Sequence, residues 1–122
     1  MNWTIALVLA AIIAVIFVMN KSGRISPKDA LAYLKNGALV IDVRSPGEFN
    51  SGHSPTAINI PLDKIETVLS RRVKDKNQVL LLHCHSGMRS GAAIRKLKSM
   101  GYANAFNLGS YSRAESILKL SQ

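Results

Sequence analysis

The only cysteine of the chain, Cys84, stands in the stretch "LLLHCHSGMRSGAAIRKL", Gly87 and Arg89 following it three and five residues on. An apolar run ends at that point and a small-residue helix begins, so the backbone must turn tightly between Cys84 and Arg89. Gly87 supplies the positive φ such a turn needs. Successive amide hydrogens of His85, Ser86, Gly87, Met88 and Arg89 then point inward at one spot, an anion nest reinforced by a helix N-terminus. A cysteine facing that nest is expected to be a thiolate at neutral pH, hence a nucleophile. The competing reading, a buried thiol acting as a small hydrophobe, does not explain a guanidinium closing a short amide-lined loop. Metal binding by His83, Cys84 and His85 is disfavoured, because neighbours on an extended strand point to opposite sides and there is no further thiol.

Several elements must position that loop. "ISPKDALAYLKNG" predicts a helix with Ser26 as N-cap, Pro27 at N1, Asp29 at N3 and Gly37 as its stop. "ALVIDV" is a nearly continuous apolar run, the pattern of a strand buried on both faces. In "RSPGEFNSGH", Ser45, Pro46 and Glu48 form a capping box over a single helical turn, and "TAINIP" predicts a second strand ending at Pro61. "LDKIETVLSRRVKDKN" carries Leu62, Ile65, Val68, Leu69 and Val73 at helical spacing. "QVLLLHC" returns to a buried strand, and "SGAAIRKLKSMG" predicts a helix with Ala93, Ile94, Leu97 and Met100 inward and Gly101 as C-cap. "NAFNLG" and "SRAESILKLSQ" predict a last strand and helix. Strands alternating with helices imply an α/β fold, a parallel sheet with helices on both faces. In such sheets ligands bind at the carboxyl ends of strands, where Cys84 falls.

The front of the chain differs in kind. Ile5 to Met19 is unbroken apolar sequence, and Trp3 and Thr4 extend it before Asn20 and Lys21. This predicts an uncleaved single-pass transmembrane anchor over 1–20, a linker over 21–25 and one domain over 26–122. A cleaved leader is disfavoured, since no Lys or Arg precedes the run and no A-x-A site follows it. Lys21, Arg24, Lys28 and Lys35 after the run place the C-terminal domain in the cytoplasm, in keeping with a lone thiol. All 16 Lys and Arg and all 7 Asp and Glu fall after residue 20, so the net charge of +9 sits on residues 21–122. That charge favours anionic partners. Nucleic acid is disfavoured, because the basic clusters at Arg71, Arg72, Lys74, Lys76 and at Arg95, Lys96, Lys98 have no aromatic residues among them for base stacking.

Two signatures carry a family resemblance. "VIDVRSPGEFNSGHSPTAINIPL" resembles the Asp-Val-Arg, Glu-Phe, Gly-His and Asn-Ile-Pro stretch of single-domain rhodaneses, and "CHSGMRS" resembles their active-site loop. Membrane-anchored versions of such domains occur. The resemblance implies a sulfurtransferase in which Cys84 takes sulfur from thiosulfate or a similar small anionic donor as a persulfide. The sulfur then passes to cyanide, a thiol or a protein acceptor, without a metal or an organic cofactor. It implies that the loop His85, Ser86, Gly87, Met88 and Arg89 holds the anion, with Arg89 orienting the donor or bracing the loop. Asp42, Arg44, Glu48 and His53 match the first signature and are expected to set loop geometry; a catalytic acid at His53 is the lesser expectation. Ser54 and Thr56 replace an aliphatic residue and a glycine, His85 replaces a frequent arginine, and "NLGSYSRAESILKLSQ" lacks a second glycine and a tryptophan. These departures bear on donor and acceptor preference. The alternatives are a membrane-tethered sulfur carrier or binding module with low turnover and, less favoured, a phosphatase-like or arsenate-reductase-like enzyme, whose loop needs Arg six residues after Cys.

Overall fold

The computed structural model describes residues 2–122, the side chains of 17–22 excepted. The described elements are helix α1 (Trp3–Ser22), α2 (Pro27–Lys35), strand β1 (Leu39–Asp42), α3 (Pro46–Ser51), β2 (Ile58–Asn59), a 3-10 turn (Leu62–Lys64) running into α4 (Ile65–Arg72), β3 (Leu80–His83), α5 (Met88–Ser99), β4 (Ala105–Gly109) and α6 (Tyr111–Leu120). The strands form one parallel sheet in the order β2-β1-β3-β4. The α/β expectation therefore holds.

Local chemistry sets the element ends. Ser26 caps α2 by accepting from the Asp29 amide, with Pro27 in the first turn where a missing N–H costs nothing. Ser45 and Glu48 cap α3 reciprocally. The C-cap of α5 is Met100, one residue before the expected Gly101, which takes φ +99° just beyond the helix.

The strands are buried because both faces are covered. Ile65 and Leu69 of α4 and Ala93 and Leu97 of α5 pack with Ile41, Leu80, Leu82 and Cys84 on one face. Ala30 of α2 and Ala114, Ile117 and Leu118 of α6 pack with Val40, Leu81 and Leu108 on the other. Leu80, Leu81 and Leu82 are fully buried, at about 2 kcal/mol of apolar burial each. The chain leaves β1 toward β2 on one side and β3 toward β4 on the other. The connections leaving their carboxyl ends therefore run in opposite directions, the point in a parallel sheet where ligands bind.

The expected membrane anchor at the front of the chain is not supported by the described residues. Among the described residues no helix is long and apolar enough to cross a membrane. The apolar side chains described run from Trp3 to Ile16. The rest of the expected span, 17–20, lies outside the described side chains. From Trp3 to Ile16 the large apolar side chains are mostly half or more exposed. Of the expected linker, 21 and 22 continue α1, while Arg24 bridges to Asn107 of β4 and the Ile25 amide donates to the Asn107 carbonyl at 2.9 Å.

Candidate active site

Cys84 follows β3 directly, and its side chain points to the α4/α5 face, buried within that cluster. Gly87 closes the turn as the N-cap of α5 at φ +93°. There its amide comes within 3.0 Å of the Cys84 sulfur, and the Ser90 hydroxyl lies 3.7 Å from it. Burial pushes the thiol pKa up, but hydrogen bonds from the Ser90 amide and hydroxyl and from the Gly87 and Ser86 amides outweigh it, so the pKa lies below the ordinary thiol value. Of the five amides in the expected nest, those of Ser86 and Gly87 act on this sulfur, and the Ser90 amide, outside that set, joins them. His85, Ser86 and Met88 are exposed around it.

A second layer holds the loop. Between Leu82 and His83 the pairing with β4 shifts by one residue, so that Gly109 stands opposite His83. The Cys84 amide then donates to the Gly109 carbonyl at 3.3 Å, and the Tyr111 amide to the His85 carbonyl at 3.3 Å. A β-carbon on Gly87 would lie 3.2 Å from the Gly109 α-carbon and 3.3 Å from its carbonyl carbon. Glycine is therefore required at 87 by close approach as well as by φ. Asn107 links the parts: its side-chain amide donates to the Gly87 carbonyl at 3.1 Å, and its oxygen accepts from the Ser90 hydroxyl and the Gly109 amide, both at 2.8 Å.

Arg89 is paired with Glu48. Its guanidinium forms a two-pronged pair with Glu48 at 2.7 and 3.0 Å, tying α5 to α3. Glu48 also accepts from the Ser45 amide and hydroxyl, and these contacts, Arg89 first, hold its carboxyl down at about 2. Asp42 and Arg44 form a buried pair at the end of β1. Both Asp42 oxygens accept from the guanidinium, at 2.8 to 3.0 Å, and Arg44 donates further to the Gly52 carbonyl at 2.7 Å and lies 4.3 Å over the Tyr111 ring. The exposed His53 stacks on Phe49 at 3.6 Å, with Nδ1 2.8 Å from the Phe49 carbonyl. Ser54 is buried with its hydroxyl unpartnered, and Thr56 is exposed. His83 is fully buried, its ring on the α6 side at 6.0 Å from Tyr111, with neither nitrogen hydrogen-bonded. Burial lowers its pKa, Asp42 opposing and Arg44 assisting, so the ring is neutral at neutral pH.

Ser90, Asn107 and Gly109 escaped the sequence reading. Ser90 had a local signal, the third helical position after Gly87, whereas Asn107 and Gly109 reach the loop only through the shifted pairing of β3 with β4. Among the described residues no group of three or more His, Cys, Asp or Glu is placed to hold a metal.

The family model for the rhodanese-like domain matches residues 26–114. The chain belongs to the rhodanese-like family. It is similar to the thiosulfate sulfurtransferase PspE of Escherichia coli, 39% identical over 69 residues, a match covering 57% of this chain and 66% of that protein, just under two thirds of its length. To the thiosulfate sulfurtransferase GlpE of Pseudomonas syringae it is 29% identical over 90 residues, 74% of this chain and 83% of that one. The solved structure of a rhodanese with anions from E. coli superposes with a TM-score of 0.61 at 35% identity, covering 63% of this chain and 91% of that one. The match to the family thus takes in both signatures and every strand of the rhodanese-like domain.

Proposed function

We propose that this rhodanese-like domain moves a sulfane sulfur from thiosulfate, or a similar small anionic donor, through a persulfide on Cys84. The thiolate attacks the outer sulfur of the donor, the donor's sulfur–sulfur bond breaks, and sulfite departs with the electron pair. Cys84 is left as an anionic persulfide. Cyanide or a thiolate acceptor then attacks the terminal sulfur and returns the Cys84 thiolate. The observation that carries this reading is the convergence of loop amides on the Cys84 sulfur, with the Gly87 amide at 3.0 Å. Such donors stabilise negative charge on the thiolate and equally on the persulfide, without reorganising during the reaction. The names of the PspE and GlpE relatives support the same chemistry.

Intact-mass spectrometry of the full chain after exposure to thiosulfate tests it. One added sulfur on the wild type, none on Cys84→Ser, and loss of the adduct on adding cyanide are the expected results. An equal adduct on Cys84→Ser refutes the assignment, and a loaded protein that releases no sulfur to cyanide or thiols is a carrier rather than a catalyst. The exposed apolar side chains of α1 support attachment of the chain to a lipid surface, which fractionation of the chain with and without residues 1–22 tests.

A further inference from the structure

Two hollows of about 520 and 430 Å³ share Gly23, Arg24, Gly91, Arg95 and Asn107 and so form one groove along α5 and β4. At one end it opens on Ser86, Gly87 and Met88 of the Cys84 loop, and at the other it reaches Lys98. Arg24, Arg95 and Lys98 line it, and among the described residues no Asp or Glu does. Arg113 crowds the same corner: a β-carbon on Gly109 would lie 3.2 Å from the Arg113 δ-carbon and 3.3 Å from that of Arg24. Burial, and then the charge of Arg24, lower the Arg113 pKa. The Arg113 guanidinium donates only to uncharged acceptors, the Leu108 and Ile25 carbonyls. Among the described residues the ion pairs take Arg44, Arg89, Lys96 and Lys119, and none involves a cation of this groove.

Like charges gathered without a counter-charge are unfavourable in the free protein and become favourable when an anion arrives. The groove follows α5 from Met88 to Lys98, about 15 Å of helix. That length matches about four or five residues of extended chain and far exceeds one inorganic anion. Met88, 80% exposed at the loop end, offers an adaptable apolar contact. The groove is walled by α5 and β4, a shape that a polypeptide enters and a flat lipid surface does not. We propose that it docks an acidic, extended segment of the protein that receives sulfur from Cys84. The acceptor assignment rests on the sulfur-transfer reading; the charge and shape of the groove do not.

The test is fluorescence anisotropy of a fluorescein-labelled tetraglutamate peptide against the full chain in a mild non-ionic detergent. A tetraglutamine peptide and phosphatidylglycerol vesicles serve as comparison probes. Arg95→Glu with Lys98→Glu is expected to weaken tetraglutamate binding at least about tenfold, and rising salt to weaken it in the wild type. Lys28→Glu with Lys35→Glu, the same change in net charge on α2, is expected to leave binding within about threefold. Equal losses in the two pairs, equal binding of tetraglutamine, or no peptide binding beside vesicle binding that needs Arg95 and Lys98 each overturns the proposal. Thiosulfate loading of the wild type, read separately by mass, reports on the sulfur-transfer reading alone.

Discussion

The ends of β1 and β3 lie side by side in the sheet and are built on opposite principles. At the end of β1 the charges are side chains, and they satisfy one another: Asp42 accepts from the Arg44 guanidinium and amide, Arg44 also reaches the Gly52 carbonyl, and Asn59 donates to the Asp42 and Arg44 carbonyls. Nothing there is left to react. At the end of β3 the donors are backbone amides and one hydroxyl converging on a single sulfur. Paired charge gives a fixed shape, whereas unpaired dipoles around one anionic atom give a shape with capacity to stabilise a charge that changes hands.

The largest effect that sharpens this contrast is expected at β1. Asp42→Ala leaves the Arg44 charge buried without its partner, a loss of about 3–5 kcal/mol, visible as a lower urea midpoint. The fraction that remains folded should still load sulfur at Cys84. A folded Asp42→Ala protein that cannot load would merge the two regions into one site and break the comparison.

Ser90→Ala is the intermediate case. It removes a hydroxyl that favours the thiolate, so the pH at which loading is half-maximal moves upward, toward the ordinary thiol value, while stability falls by about 1 kcal/mol. The sign follows from the chemistry: loading rises with pH as the thiol ionises, and the wild-type rise lies below that of a free thiol. A profile of loading rate against pH for both proteins decides it, and coincident profiles would remove Ser90 from the anion-stabilising set.

The smallest effect belongs to the strap between the regions. The Glu48 and Arg89 side chains are 36% and 37% exposed, so Glu48→Gln should cost less than about 1 kcal/mol in an unfolding titration. Because Glu48 is held at about 2 against an ordinary 4.5, its stabilisation is complete above pH 4.5 and is lost as pH falls toward 2. The variant should lack that part of the acid loss; an unchanged acid limb would mean that the pair contributes nothing in solution.

Much of the scaffold was legible because its signals are local. Ser26-Pro27 and the Ser45-Pro46-Glu48 box act within one helical turn, and the three-leucine run before His83 has the pattern of a strand covered on both sides. The Cys84 to Arg89 spacing also marked the tight turn at Gly87, whose amide lies 3.0 Å from the Cys84 sulfur. The partner of Arg89 was not legible, because Glu48 lies 41 residues away in sequence and only the approach of α3 to α5 brings the two together. The membrane expectation rested on an unbroken apolar run and the charges after it, and among the described residues no helix is long and apolar enough to cross a membrane.

By itself, then, the sequence determined the order and type of the elements of the domain and the position of the thiol within them, since caps, turns and burial periodicity act over a few residues. Only the tertiary structure decided which groups surround that thiol. The shifted pairing of β4 with β3 brings Gly109 against Gly87 and Asn107 against Ser90, and the packing of Arg24 beside Arg113 gathers cations distant in the chain. These are consequences of strands and helices meeting in space, for which no local pattern exists.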